Sequence, residues 1–129
     1  MSLKRAFVYQ PEMTKLFQKN LRRYASLREQ IRRHVDEILA DPYLNSERLG
    51  KMPGGLDLRG CRNVRIAQGF RIIFVVCEGC RRVPECRYCF CESWSDKTVV
   101  FLTVGPHERA YAIRGPSAGY AANQNQRDA

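Results

Sequence analysis

Apolar residues along this chain change period twice, and each change marks an element. Ala6-Phe7-Val8-Tyr9 is a short strand-like run, closed by Pro11 at a plausible first helical position. From Pro11 to about Arg23, Met13, Leu16, Phe17, Leu21 and Tyr24 recur at helical spacing. A second stripe follows in Leu27, Ile31, Val35, Ile38 and Leu39, opened by Ser26 and Glu29 in capping-box spacing and stopped by Pro42. The short link predicts an antiparallel helix hairpin whose arginines, Arg22, Arg23, Arg28, Arg32 and Arg33, form a solvated face. His34 reads as structural or solvated. Residues 45–60 read as loop. The period then becomes two: Val64 and Ile66 face one way, Asn63 and Arg65 the other. After a turn at 67–69, Phe70 to Val76 is a nearly continuous apolar strand with Arg71 as its one charge. Thr98 to Val104 is another central strand, ended by Gly105-Pro106, and His107 to Ile113 reads as a last short strand or turn. The order β-α-α-β-β-β predicts an α+β fold, with the hairpin on one face of an antiparallel sheet and polar residues on the other. One domain over 1–114 is expected, with an insertion at about 77–96, followed by a polar tail, 115–129.

Composition narrows the class. A chain of 129 residues with 44% hydrophobic and 27% charged residues is neither disordered nor fibrous. Its 22 Lys plus Arg against 13 Asp plus Glu leave +9, which favours an anionic partner: nucleic acid, the ribosome, an acidic protein or a lipid headgroup. No apolar run is long enough to span a membrane, and the first residues lack a signal peptide's apolar stretch, so a cytoplasmic protein is expected. Five of the six cysteines lie between Cys77 and Cys91, spaced C-x2-C-x5-C-x2-C-x-C. In a reducing compartment that density reads as metal ligation, with Cys77, Cys80, Cys86 and Cys89 as four thiolates on a structural zinc. Reduced thiols in a loose hairpin, or disulfides, are the alternatives. A closed four-sulfur site leaves no position open for chemistry. Cys61 reads as a small packed residue. Arg81, Arg82 and Arg87 make the segment a basic knob and, with Arg62, an RNA-contacting set.

Three strings carry a family resemblance. Ile38-Leu39-Ala40-Asp41-Pro42-Tyr43 followed by Leu49-Gly50, Val64 to Phe74, and Val99 to Tyr111 together resemble the RelE/ParE toxin superfamily of type II toxin–antitoxin systems. The second string is similar to the family's R-V-x-x-x-Y-R-I-I-Y hairpin and the third to its closing V-x-x-V-G-H-R-x-x-x-Y. The resemblance covers about residues 5–76 and 97–113. Pro106 stands where the family has His or Lys, which moves His107 one place along, and the cysteine segment replaces a tight turn by roughly 15 residues.

The resemblance implies a RelE-like endoribonuclease that cleaves messenger RNA on the ribosome and is neutralised by an antitoxin. Its reaction, attack of a ribose 2′-hydroxyl on the adjacent phosphate, needs no metal; it needs proton transfer and charge stabilisation. The implied catalytic set is Arg65 and Arg71 on phosphate oxygens, His107 in proton transfer, Arg109 in support and Tyr111 stacking or donating. The alternative is a non-catalytic member of the same fold: a ParE-like gyrase inhibitor, or a basic RNA-binding module with a metal-bound knob.

Overall fold

The computed structural model describes residues 7–51, 57–88 and 94–106, Gln68 through its backbone alone. Thr14 opens the first helix, α1 (Lys15–Arg23). Its hydroxyl accepts from the Phe17 N–H at 3.0 Å and donates to the Leu102 carbonyl at 2.7 Å, which ties the start of the helix to the sheet. A 3-10 turn at Ala25–Leu27 leads into α2 (Arg28–Ala40). That turn takes up Ser26, so the expected capping box does not form; α2 begins after Leu27 without a side-chain cap. The stripe Ile31, Val35, Ile38 and Leu39 is buried as its spacing requires.

Five strands follow the order β1-β5-β4-β3-β2: β1 (Gln10–Met13), β2 (Glu47–Arg48), β3 (Arg62–Arg65), β4 (Phe70–Val76) and β5 (Thr98–Pro106). All neighbours are antiparallel except β1, which pairs with β5 in parallel. The first strand therefore lies later than Ala6–Tyr9 and takes in Pro11. A residue without an N–H can sit there because β1 is an edge. The helix correspondingly starts after Thr14 instead of at Pro11. Among the described residues, no helix is long and apolar enough to cross a membrane.

Between β4 and β5 the register slips at Leu102: Ile73 pairs with Thr103 but Phe74 with Phe101. A slip of one residue reverses which side chains face which side. Val99, Phe101 and Val104 thereby join the helix-side core, while Val100 and Leu102 join a second core on the opposite face.

The helix-side core holds Phe17, Ile31, Ile38, Val64, Ile72, Phe74 and Phe101, with Phe17 and Phe101 rings 5.4 Å apart. The second core corrects the expectation of a polar outer face. There Ile73, Val75, Val100 and Leu102 are roofed by Leu58, Cys61, Cys77, Cys80 and Tyr88. The cysteine segment leaves β4 through a short helical turn, α3 (Cys77–Cys80), and folds back over the sheet; it does not stand away as a knob. Burying these side chains, at about 25 cal/mol per Å² of apolar surface, gives the segment a reason to fold back.

Candidate functional site

Beyond the reach of that roof, the same sheet face carries charge. Arg65, at the end of β3, is the register partner of Arg71 in β4, so alternation turns both to the face away from the helices. Like charges directly opposite on a ladder cost stability. Asn63 lies on the same face, is 2% exposed, and its Oδ1 accepts from Arg71 Nη1 at 2.8 Å. Asn63 in turn donates to the Glu47 carbonyl at 3.3 Å, so β2 fixes the amide that aims Arg71. Arg65 is exposed. The two forks thus differ: Arg71 is held in a set direction, and Arg65 is free to follow a ligand.

Arg71 also stands opposite Gly105 and Phe70 opposite Pro106, so β5 runs past the arginine pair and ends beside it. His107, Arg109 and Tyr111 follow in sequence and lie outside the described residues. The far end of β3 opens on a groove of about 580 Å³ lined by His34, Glu37, Ile38, Ser46, Asn63 and Arg65. His34 Nδ1 is 3.7 Å from Glu37 Oε1. A residue read from sequence as solvated helix surface thus shares a groove with Arg65.

The other basic residues do not gather at this site. Arg62 turns to the helix side, where its Nε donates to Ser46 Oγ at 2.8 Å and its guanidinium lies 5.1 Å over the Tyr43 ring. Burial draws its pKa below the ordinary arginine value. Arg81 is paired with Asp96 and also donates to the Trp94 carbonyl. Arg82 and Arg87 are exposed on the cysteine segment.

Glu78 fastens that segment to the rest of the chain. Its carboxylate accepts from Tyr9, from Tyr43 at 2.7 Å and from Lys97 at 3.1 Å. Burial works to raise the Glu78 pKa, but these three donors outweigh it and hold it below the usual value. Both tyrosines are shifted upward, by burial first and by Glu78 second. Nothing in the sequence marked this cluster, because its members come from separate stretches and each reads alone as ordinary surface.

Cys61, Cys77, Cys80 and Cys86 take part in no disulfide among the described residues. Cys77, Cys80 and Cys86, three of the four residues assigned to zinc from spacing, lie together, and Cys89 is outside the described residues. Among the described residues, no group of three or more His, Cys, Asp or Glu side chains is set as a cage for a metal ion.

No family model matches the sequence, and no curated protein is significantly similar to it. Among solved structures, a free-state mutant of the E. coli toxin RelE is similar over 80% of this chain and 87% of that one, at 19% identity and a TM-score of 0.49. The archaeal RelE–RelB complex from Pyrococcus horikoshii OT3 is similar over 80% of this chain and 99% of that one, at 16% identity and a TM-score of 0.49. Identities this low carry no residue roles across.

Proposed function

We propose that this chain is a RelE-like toxin: a metal-independent endoribonuclease acting on ribosome-bound messenger RNA and held in check by an antitoxin. The observation that carries the reading is the pair Arg65 and Arg71, set opposite each other on an open sheet face. Two guanidiniums facing each other cost stability alone and suit an anion between them. A phosphodiester gaining negative charge as the 2′-oxygen attacks is such an anion. Arg71, aimed by Asn63, would hold a nonbridging oxygen in place, and exposed Arg65 would close on the other. His107 would take the 2′-proton and return one to the leaving 5′-oxygen, with Arg109 and Tyr111 supporting the charge and the base. The net charge of +9 suits both ribosomal RNA and an acidic antitoxin segment.

Primer extension on cellular messenger RNA after brief induction tests this, comparing wild type with Arg71→Ala and His107→Ala. Cuts inside translated regions that vanish in both variants are expected. Cuts that survive His107→Ala would move proton transfer to another group. Growth inhibition without any cut would sink the nuclease and favour a gyrase-type target.

A further inference from the structure

The groove at the far end of β3 borders the arginine pair, yet no step of the cleavage described above uses it. At about 580 Å³ it has the size of a site for a ligand as large as a nucleoside. Its floor is apolar: Ile38 and Val64 line it and are 2% and 6% exposed. One wall is α2, through His34 and Glu37. The other is the turn that enters β2, where Leu44 stands 63% exposed. Arg65, the last residue of β3, borders this groove and is also the register partner of Arg71, so the groove and the open sheet face meet at one residue.

These walls are fixed before any ligand arrives. Asn45 holds a left-handed backbone, φ 59°, which asparagine tolerates better than most side chains. Ser46 Oγ donates to the Pro42 carbonyl at 2.8 Å and accepts from Arg62 Nε at 2.8 Å, tying the turn to the exit of α2 and to β3. Asn63, also in the lining, is held between Arg71 and the Glu47 carbonyl. A ligand entering here meets a site that needs little ordering.

Building on the RNA reading above, we propose that this groove takes a nucleobase of single-stranded RNA, one that carries an exocyclic amine, beside the phosphate held by Arg65 and Arg71. Glu37 and Glu47 line the groove and repel a phosphate, so the backbone stays with the arginines and an uncharged base enters. Ile38, Val64 and Leu44 cover the base's apolar faces, and the His34 imidazole is a flat partner for stacking. Glu37 Oε1 stands 3.7 Å from His34 Nδ1, beyond hydrogen-bond length, which leaves its lone pairs for an amine. Guanine, adenine and cytosine present such a donor. Uracil presents two carbonyls about one N–H, an edge that a carboxylate disfavours.

The test uses the full chain and short 2′-O-methyl RNAs, which bind but offer no hydroxyl for cleavage. One is all uridine; three others carry a single central guanine, adenine or cytosine. In fluorescence anisotropy, at least one of the three should bind at least fivefold tighter than the all-uridine RNA. Glu37→Gln should cut that preference to less than twofold, and Arg65→Met should weaken all four RNAs by a similar factor. The Glu37 side chain is 54% exposed, so its variant folds as wild type does. A central 6-thioguanine, photo-cross-linked to the wild type, reads location without any variant, and the adduct should map within 34–47 or 63–65. Equal affinity for all four RNAs, a preference that survives Glu37→Gln, or adducts confined to other residues would each overturn the proposal. Protection of 34–47 by an acidic peptide and not by RNA would also overturn it, making the groove a protein-docking surface. Because these RNAs cannot be cut, messenger cuts without a base preference would sink the groove alone, and a base preference without messenger cuts would sink the nuclease alone.

Discussion

The sheet face turned away from the helices holds two surfaces side by side. Over Ile73, Val75, Val100 and Leu102 it is roofed by the cysteine segment and dry. One alternation step back along β4, at Arg71, it is open and doubly charged. The roofed half buries apolar area and stabilises; the open half sets like charges opposite each other and does not. The difference separates residues that hold the fold from residues whose arrangement fits the anion site proposed above.

The two cores give the sharpest way to break that comparison. Phe101→Ala, on the helix side, should cost about 3–5 kcal/mol, because it removes a ring packed against Phe17 and Phe74. Its loss should reach α1, α2 and the whole sheet in hydrogen exchange. Leu58→Ala, on the roofed side, should cost about 2–4 kcal/mol. There the loss of protection should be confined to 57–61 and 77–88, with α2 unchanged. Equal loss in α2 from both variants would mean the roof is as deep a part of the fold as the helices.

Gly60→Ala probes the join between the roof and the 57–61 turn. The positive φ alone costs a residue with a Cβ about 1–2 kcal/mol, and the close approach to Cys86 adds to it. A thermal shift of several degrees is expected, together with faster alkylation of Cys86. An unchanged melting temperature would show that the turn relaxes away from Cys86 without loss.

Arg65→Met should move the other way. Removing one of two facing charges on an exposed site should raise stability by about 0.2–1 kcal/mol while RNA cleavage falls at least tenfold. If stability drops and activity holds, the arginine pair belongs to the fold.

How much of this was legible from sequence depends on the range of the contact. Helical stripes and the period-two strand at 62–65 reported local geometry, so α2, β3 and β4 lie close to where their patterns put them. Alternation alone also set Arg65 and Arg71 on one face. The boundaries of β1 and the opening of α2 were hidden because both depend on tertiary partners: Gln10 donates to the Lys97 carbonyl at 2.8 Å, and Ser26 sits in a 3-10 turn. The roof was hidden for a stronger reason. A register slip at Leu102 decides which residues of β5 face it, and no periodicity across a slip reports the new parity. Cys61 looked solitary for the same reason: its neighbours are set by strand pairing. Asn63 alone left a trace, a polar residue in phase with Arg65.

The smallest expected effect is also the most local. Asp57 accepts from the Arg59 side chain at 2.9 and 2.7 Å and from its backbone N–H at 3.1 Å, and the side-chain bonds, then the backbone one, hold its carboxyl well below the usual carboxylate range. The folded chain therefore binds fewer protons at this group than the unfolded chain. What Asp57 contributes to stability is present in full above the ordinary value of 3.8 and fades as the pH falls below it toward the native value. Other carboxylates titrate as the pH is lowered, so the quantity to measure is the difference between wild type and Asp57→Asn, in which shared effects cancel. That difference should be constant from neutrality to about pH 5 and shrink below pH 4. A difference that stays constant down to pH 3 would mean that Arg59 serves Glu85 and the roof, and that its fork on Asp57 carries no weight in the folded chain.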